Sequence, residues 1–265
     1  MSNSCQSCGS TNTTEFLGST NSKAVAFYCE DCFLVQVKKD ADLSKVELDN
    51  LPPTDVEIVE HSKFVDEQIE HLHLNEESFV LELVEKQSKV RKFFKAKNVD
   101  CVCAKSGDIE GEPFGIEQAW AFIAAAHPIS KGRKPDLVIA DQILSNSHDI
   151  NEVLEAVMLI LKDGGTFIIE DLYVTSIFEF EDRADIAKRS DFWFSTHSLG
   201  KACERHGLKI VDTQFLDTHI GDVSKMRWTV QHDHMFSVSP NVVSVLGDEA
   251  EQGLASAERF LEFKS

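Results

Sequence analysis

The chain has 265 residues, enough for one large domain or two modest ones. Its 45 acidic against 26 basic residues leave a net charge of −19, which repels a nucleic-acid backbone and argues against nucleic acid as a partner. No apolar run reaches the about eighteen residues of a membrane helix, and Met1 to Ser10 lacks the basic flank and apolar stretch of a secretory signal; a soluble cytoplasmic protein without membrane contact is the expectation.

Residues 1–40 read as one unit. Cys5-x2-Cys8 and Cys29-x2-Cys32 stand twenty residues apart, around a segment rich in Ser, Thr and Asn. Two such tight turns give one zinc ion four thiolates in a tetrahedron. A closed four-sulfur shell has no open position for substrate, so the expected site is structural. A unit of this size with few large apolar groups needs such a staple to fold. Two redox pairs are the alternative, but a redox Cys-x-x-Cys opens a helix in a βαβ fold, and neither pair precedes a helical pattern. The run YCEDCFLVQV alternates like a strand.

Residues 41–75 read as an acidic linker, broken at Leu51-Pro52-Pro53-Thr54, and an amphipathic helix. Between Asp55 and Leu74, apolar residues recur at Val56, Ile58, Val59, Phe64, Val65, Ile69 and Leu72, roughly at helical spacing. Residues 76–234 then alternate strands with helices. Ser78–Leu83, Val99–Ala104, Pro135–Ala140, Thr166–Leu172, Leu208–Phe215 and Met226–Gln231 read as strands. Lys89–Ala96, Phe114–Ala126, Asn151–Leu161 and Ser198–Arg205 read as helices. Asp149 with Glu152 forms a capping-box pattern, Gly164-Gly165 stops the following helix, and Gly207 ends the last one. Such alternation predicts a mostly parallel sheet with helices on both faces. Residues 235–265 read as a loop and one amphipathic helix, Gln252–Phe263.

Three further cysteines, Cys101, Cys103 and Cys203, sit in apolar surroundings and read as core or near-core. The densest basic stretch, Lys86 to Lys97, holds six basic residues on a helical segment and reads as a solvated face.

The order of these pieces resembles the zinc-binding sugar C-methyltransferases. The ribbon ending in CEDCFLVQV, the helix with VEHSKF, and PDLVIADQIL, LKDGGTFIIEDLY, FWFSTHSLGKACERHGLKIVDTQFLDTHIGDV and MRWTVQH follow in that family's order and cover most of the chain. The resemblance implies a Rossmann-like class I methyltransferase sheet in the α/β class over residues 76–234. It also implies S-adenosylmethionine as cofactor and a keto-sugar nucleotide as substrate. Cofactor contacts then fall at Glu82, Val84, Lys105 and Asp141, and the surviving family histidine, His219 in Thr218-His219-Ile220-Gly221, becomes the candidate catalytic base.

The chain departs from that pattern in three places. Where the family has a Gly-Ser-Asn-Asp-Gly loop, this sequence reads Val84-Glu85-Lys86-Gln87-Ser88, with no glycine to let the backbone pass close to the cofactor. Where the family has an acid for the ribose hydroxyls, the position is Lys105, which donates and cannot accept. Where the family has a His-Glu-His run, Lys188-Arg189-Ser190 precedes Asp191-Phe192-Trp193-Phe194-Ser195; His197 just beyond reads as a helix-start residue. In addition, SPNVVSVLGDEAEQGLASAERFLEF resembles the linker and first helix into the family's second α/β domain. Two readings follow: methyl transfer with an altered, doubtful cofactor site, or a retained fold that has lost the reaction and serves as a binding or assembly partner for another protein. A third has Lys86 and Lys105 face an anionic ligand at the sheet's carboxyl edge.

Overall fold

The computed structural model describes residues 4–17, 24–39, 54–84, 87–105, 132–147, 149–180, 186, 188–216, 223–234 and 237–262. The segments expected as the 114–126 helix, the Lys86 end of the basic stretch and the loop around His219 lie outside the described residues.

The main sheet has the order β5-β4-β6-β7-β10-β9. Its strands are β4 (Phe79–Val84), β5 (Asp100–Lys105), β6 (Leu137–Asp141), β7 (Thr166–Leu172), β9 (Leu208–Leu216) and β10 (Lys225–His232). The first four pair in parallel, and β10 lies antiparallel between β7 and β9. This is a Rossmann-like α/β arrangement, a largely parallel sheet with helices on both faces, as expected. Helices α1 (Asp55–His71) and α2 (Arg91–Ala96) cover one face, where Phe64, Val65 and Phe94 meet Val80, Leu137, Ile139 and Ile168. Helices α3 (Ile150–Ile160) and α4 (Thr196–Arg205) cover the other, against Leu81, Val138, Phe167, Met226 and Trp228. Strand periodicity of two therefore sorts the side chains: Val80, Glu82 and Val84 share the α1 face with Ile139 and Asp141.

Local signals explain the helix starts. Thr54 and Glu57 form a complete capping box at α1. At α3, Asp149 accepts from the amides of Asn151 and Glu152, but the reciprocal half expected from Glu152 is not formed, so this cap is one-sided. Gly207 (φ 68°), directly after the C-cap His206, takes the left-handed turn that ends α4; α3 instead ends at the extended Leu161, and Gly164 (φ 77°) makes the later turn into β7.

A second sheet joins β1 (Thr13–Leu17), β2 (Ala24–Cys29), β3 (Val35–Lys39) and the two-residue β8 (Phe192–Trp193), all antiparallel. Strand β8 belongs in sequence to the α/β part, so its pairing of Trp193 with Val35 and Phe192 with Gln36 stitches the ribbon to that part.

The C-terminal expectation needs correction. Instead of one helix over Gln252–Phe263, α5 runs Pro240–Glu251 with Gln252 as its C-cap, and α6 follows at Ala257–Glu262. Pro240 opens α5 at a first-turn position, its buried Val242, Val245 and Glu249 lie at helical spacing, and Gly253 (φ 71°) breaks the chain beyond Gln252. Phe260 of α6 stacks on Tyr28 at 4.8 Å and meets Phe16 at 5.2 Å, closing the ribbon's apolar side. Among the described residues no helix is long and apolar enough to cross a membrane.

Candidate metal centre and carboxyl-edge crevice

The four ribbon cysteines converge from two turns of the same design. In each, the residue after the second cysteine turns left-handed and donates its amide to the first cysteine's carbonyl: Gly9 (φ 75°) to Cys5 at 2.8 Å, and Phe33 (φ 64°) to Cys29 at 2.8 Å. Phe33 carries the steric cost of that conformation, roughly 1 kcal/mol, and its ring packs edge-on against His197 at 4.5 Å. The four Sγ atoms lie within 4.8 Å of one another, with Cys5–Cys32 at 3.5 Å and Cys8–Cys29 at 3.6 Å. Zinc–sulfur bonds of about 2.3 Å in a tetrahedron put sulfurs about 3.8 Å apart, so the set fits zinc. Charge points the same way. Hydrogen bonds from Cys32 and Cys5 hold Cys29 far below the ordinary thiol value. The Cys29 hydrogen bond pushes Cys5 up to about 12 and drives Cys32 higher. One thiolate is stabilised and further negative charge is penalised, which is what a divalent cation would reverse. Bound there, zinc would cross-link the two turns; Cys5, Cys8, Cys29 and Cys32 would hold it.

The second site lies where the sheet's strand order reverses. Strand β4 sits between β5 and β6, so the crevice outside the carboxyl ends of β4 and β6 is the switch point at which open α/β sheets bind ligands. Glu82, Val84 and Asp141 come together there on one face, and Lys105 stands beside Val84 in register. Val84 is buried at the position expected for a loop glycine. Glu82 is buried and engaged by its own chain: Ser88 Oγ, Lys89 N (2.8 Å), Val90 N (3.2 Å) and Cys103 Sγ (3.4 Å) all donate to its carboxylate. Asp141 accepts from Lys89 Nζ at 2.5 Å and Lys225 Nζ at 3.4 Å. Burial alone would raise its pKa, but the two ammonium groups outweigh this and hold its carboxyl well below the usual range. Next to it, Gln142 adopts a left-handed conformation (φ 55°) and donates its amide to Glu170 O at 2.7 Å.

Sequence reasoning missed the partners that complete this edge. Lys225 and Arg227 alternate with buried Met226 and Trp228 on β10, so a strict period-two reading of KMRWTVQH carries the signal. Arg227 pairs with Glu170 at 2.6 Å and lies over the Phe64 ring at 4.4 Å. His61, from VEHSKF on α1, senses Lys89, Asp141, Glu170 and Glu57; burial first, then Lys89, lowers its imidazole pKa and favours the neutral ring.

On the opposite face, Asp171 is fully buried and accepts from the amides of Ser145 (3.0 Å) and Leu172 (2.8 Å). Burial pushes its pKa up to about 7 against the pull of those donors. The carbonyl of Ser145 in turn accepts from Ser190 Oγ (3.1 Å), Asp191 N (3.0 Å) and Phe192 N (3.1 Å). Ser190, in the segment where the sequence resemblance places a catalytic run, also directs its buried hydroxyl to Phe192 O at 2.5 Å. His197 lies in the first turn of α4, its amide bound to Glu249 Oε2 at 3.0 Å. Glu249 also accepts from Thr196 N at 2.5 Å and Tyr173 OH at 2.8 Å. Cys101 and Cys203 are buried, and Cys103 lies half-buried beside Glu82.

The chain is 27% identical over 219 residues to the C-methyltransferase NovU of Streptomyces niveus, a match covering 78% of this chain and 50% of NovU. It thus spans about half the length of the curated relative it matches. No protein-family model matches it. Among solved structures, an S-adenosylmethionine-dependent methyltransferase from Clostridium acetobutylicum is 13% identical, with a TM-score of 0.41 over 67% of this chain and 93% of its own. The CcbJ methyltransferase of Streptomyces caelestis is 14% identical, with a TM-score of 0.45 over 69% of this chain and 100% of its own.

Proposed function

We propose that the chain is an S-adenosylmethionine-dependent methyltransferase-like protein related to the C-methyltransferases of sugar nucleotides, which keeps the fold and a structural zinc ribbon but does not itself complete the transfer. In this role it is a cytoplasmic binding or assembly partner of another protein. The observation that carries the reading is Ser190. The segment expected to supply a general base offers a buried hydroxyl whose one proton is directed at the carbonyls of Ser145 and Phe192 and which is held beside the ribbon through β8. A base needs an accessible lone pair within reach of substrate; Ser190 is fully buried and its oxygen already accepts the amide of Phe192 at 3.2 Å. Val84 supports the same reading, because its branched side chain stands where a glycine would let the cofactor approach.

A second reading, an active transferase for a keto-sugar nucleotide, draws on the NovU match and on two acids at the switch point, Glu82 and Asp141. Isothermal titration of the zinc-loaded protein with S-adenosylmethionine, followed by a transfer assay using methyl-labelled cofactor and a keto-sugar nucleotide, separates the two. No heat at millimolar cofactor and no labelled product is the expected outcome. Micromolar binding with labelled product would overturn it in favour of the second reading.

A further inference from the structure

We infer that Lys89 is a tethered cation that occupies a cation subsite at Asp141, and that it decides which ligands enter the switch-point crevice. The inference rests on the reading that this crevice is closed in the chain as it stands.

The geometry has three parts. First, Lys89 is anchored at the β4 side: its amide donates to Glu82 Oε1 at 2.8 Å. Second, its side chain reaches the β6 side, where Nζ meets Asp141 Oδ2 at 2.5 Å. One residue thus bridges both strands that flank the reversal of strand order, the place where an open α/β sheet receives its ligand. Third, the ion pair is only partly shielded, with the Lys89 side chain 36% exposed and Asp141 19% exposed, so the ammonium lies at the mouth of the crevice and is not sealed beneath it.

The carboxylate of Asp141 is what a cationic ligand would seek, and it is taken. A ligand entering here must break the Lys89 contact, and a cationic one is repelled by the same ammonium before it arrives. The matching ligand class is an organic cation, an alkylammonium or sulfonium, since Lys89 is itself such a group. Lys225, with Nζ 3.4 Å from Asp141 Oδ1 and only 19% exposed, leaves the carboxylate with one charge partner when Lys89 is gone, while Oδ2, which Lys89 occupies, is released to a ligand.

The test compares wild type, Lys89→Ala, Lys89→Met and Lys89→Arg as full chains, zinc-loaded and shown folded by circular dichroism. Each is titrated with S-adenosylmethionine, which carries a sulfonium charge, and with S-adenosylhomocysteine, which does not. Lys89→Ala is expected to bind S-adenosylmethionine at least tenfold more tightly than wild type. Lys89→Met keeps the length without the charge, so its gain should be larger for the sulfonium ligand than for the neutral thioether. Lys89→Arg should match wild type. If Lys89→Ala and Lys89→Met are folded and bind neither ligand more tightly than a non-binding wild type, the Lys89 inference falls and the closed-site reading stands. If wild type binds at micromolar concentration and the variants do not differ from it, both fall.

Discussion

Asp171→Asn should change how stability depends on pH. The carboxyl is fully buried at the end of β7 and accepts two backbone amides, from Ser145 and Leu172. Burial raises its pKa from the ordinary 3.8 to about 7. In the unfolded chain the acid loses its proton near 3.8, while in the folded chain it keeps the proton up to about 7. Between those values the unfolded state binds fewer protons, so stability falls as pH rises, by about 1.4 kcal/mol per pH unit. Above about pH 7 both states are ionised and the slope ends. A usable window is about pH 5.5 to 7.5, because lower pH protonates zinc-binding thiolates. Across it, wild type should lose roughly 2 kcal/mol relative to the variant. Asparagine offers one acceptor oxygen where two amides point, which adds a pH-independent penalty of about 1 kcal/mol. His61 and His206, whose pKa values burial lowers, contribute to both proteins and cancel in the difference. Urea unfolding of both zinc-loaded proteins at several pH values measures this directly. A difference in stability that stays flat from pH 5.5 to 7.5 refutes the argument, since it would mean that Asp171 is already ionised in the fold.

Two further outcomes follow from the same structure. Glu249→Leu removes the acceptor for Thr196 N, His197 N and Tyr173 OH at once, and should cost about 3 kcal/mol, with Glu249→Gln costing less, read as midpoints in urea; equal stability of Glu249→Leu and wild type would show that these donors find other partners. Chelating the zinc, or Cys8→Ser, should speed hydrogen exchange in β3 and at Phe192–Trp193 together, because Val37 N donates to Asp191 O at 2.8 Å and β8 pairs with β3. Exchange at β8 that stays slow while β3 opens would show that the stitch does not depend on the metal.

The parts legible in the sequence were those with a long enough period. Strands such as Thr166–Leu172 and helices such as α3 declare themselves by apolar runs with glycine or acidic caps at the ends. Paired cysteines fix their own spacing, so the ribbon could be read without its strands. Strand β8 was illegible because two residues carry no period, and its partner β3 lies more than a hundred residues away in the chain. The C-terminal helices were misplaced because charged residues around Gln252 obscured the stop at Gly253, while the buried stripe Val242, Val245, Glu249 contains an acid where the pattern expects an apolar residue. That acid is explained by long-range partners, which no local rule supplies. The ion pairs at Asp141 were hidden for the same reason: Lys89 follows β4, Lys225 opens β10, and only the sheet order brings both to β6.

A binding site normally holds polar groups that wait for their ligand, and a fold carries the cost of leaving them unmet. Here the candidate groups are met from within. Glu82 is bound by the loop that follows it, Asp141 by two lysines, and Ser190 by the backbone around β8. Each of these contacts stabilises the unliganded chain and raises what a ligand must displace. One strained feature is the left-handed Gln142 at the tip of β6. It directs its amide to Glu170 O and turns the chain away immediately after Asp141, so that the carboxylate stands at the edge of the crevice. At the switch point a strained backbone turn therefore stands beside charges that are paired within the chain. The contact that Lys89 makes at Asp141 Oδ2 can be removed by one substitution, with Lys225 still on Oδ1, whereas a turn of this shape would take a whole loop to build. On that argument, Asp141 is the point of the switch-point edge where one substitution, at Lys89, changes most what the edge offers a ligand.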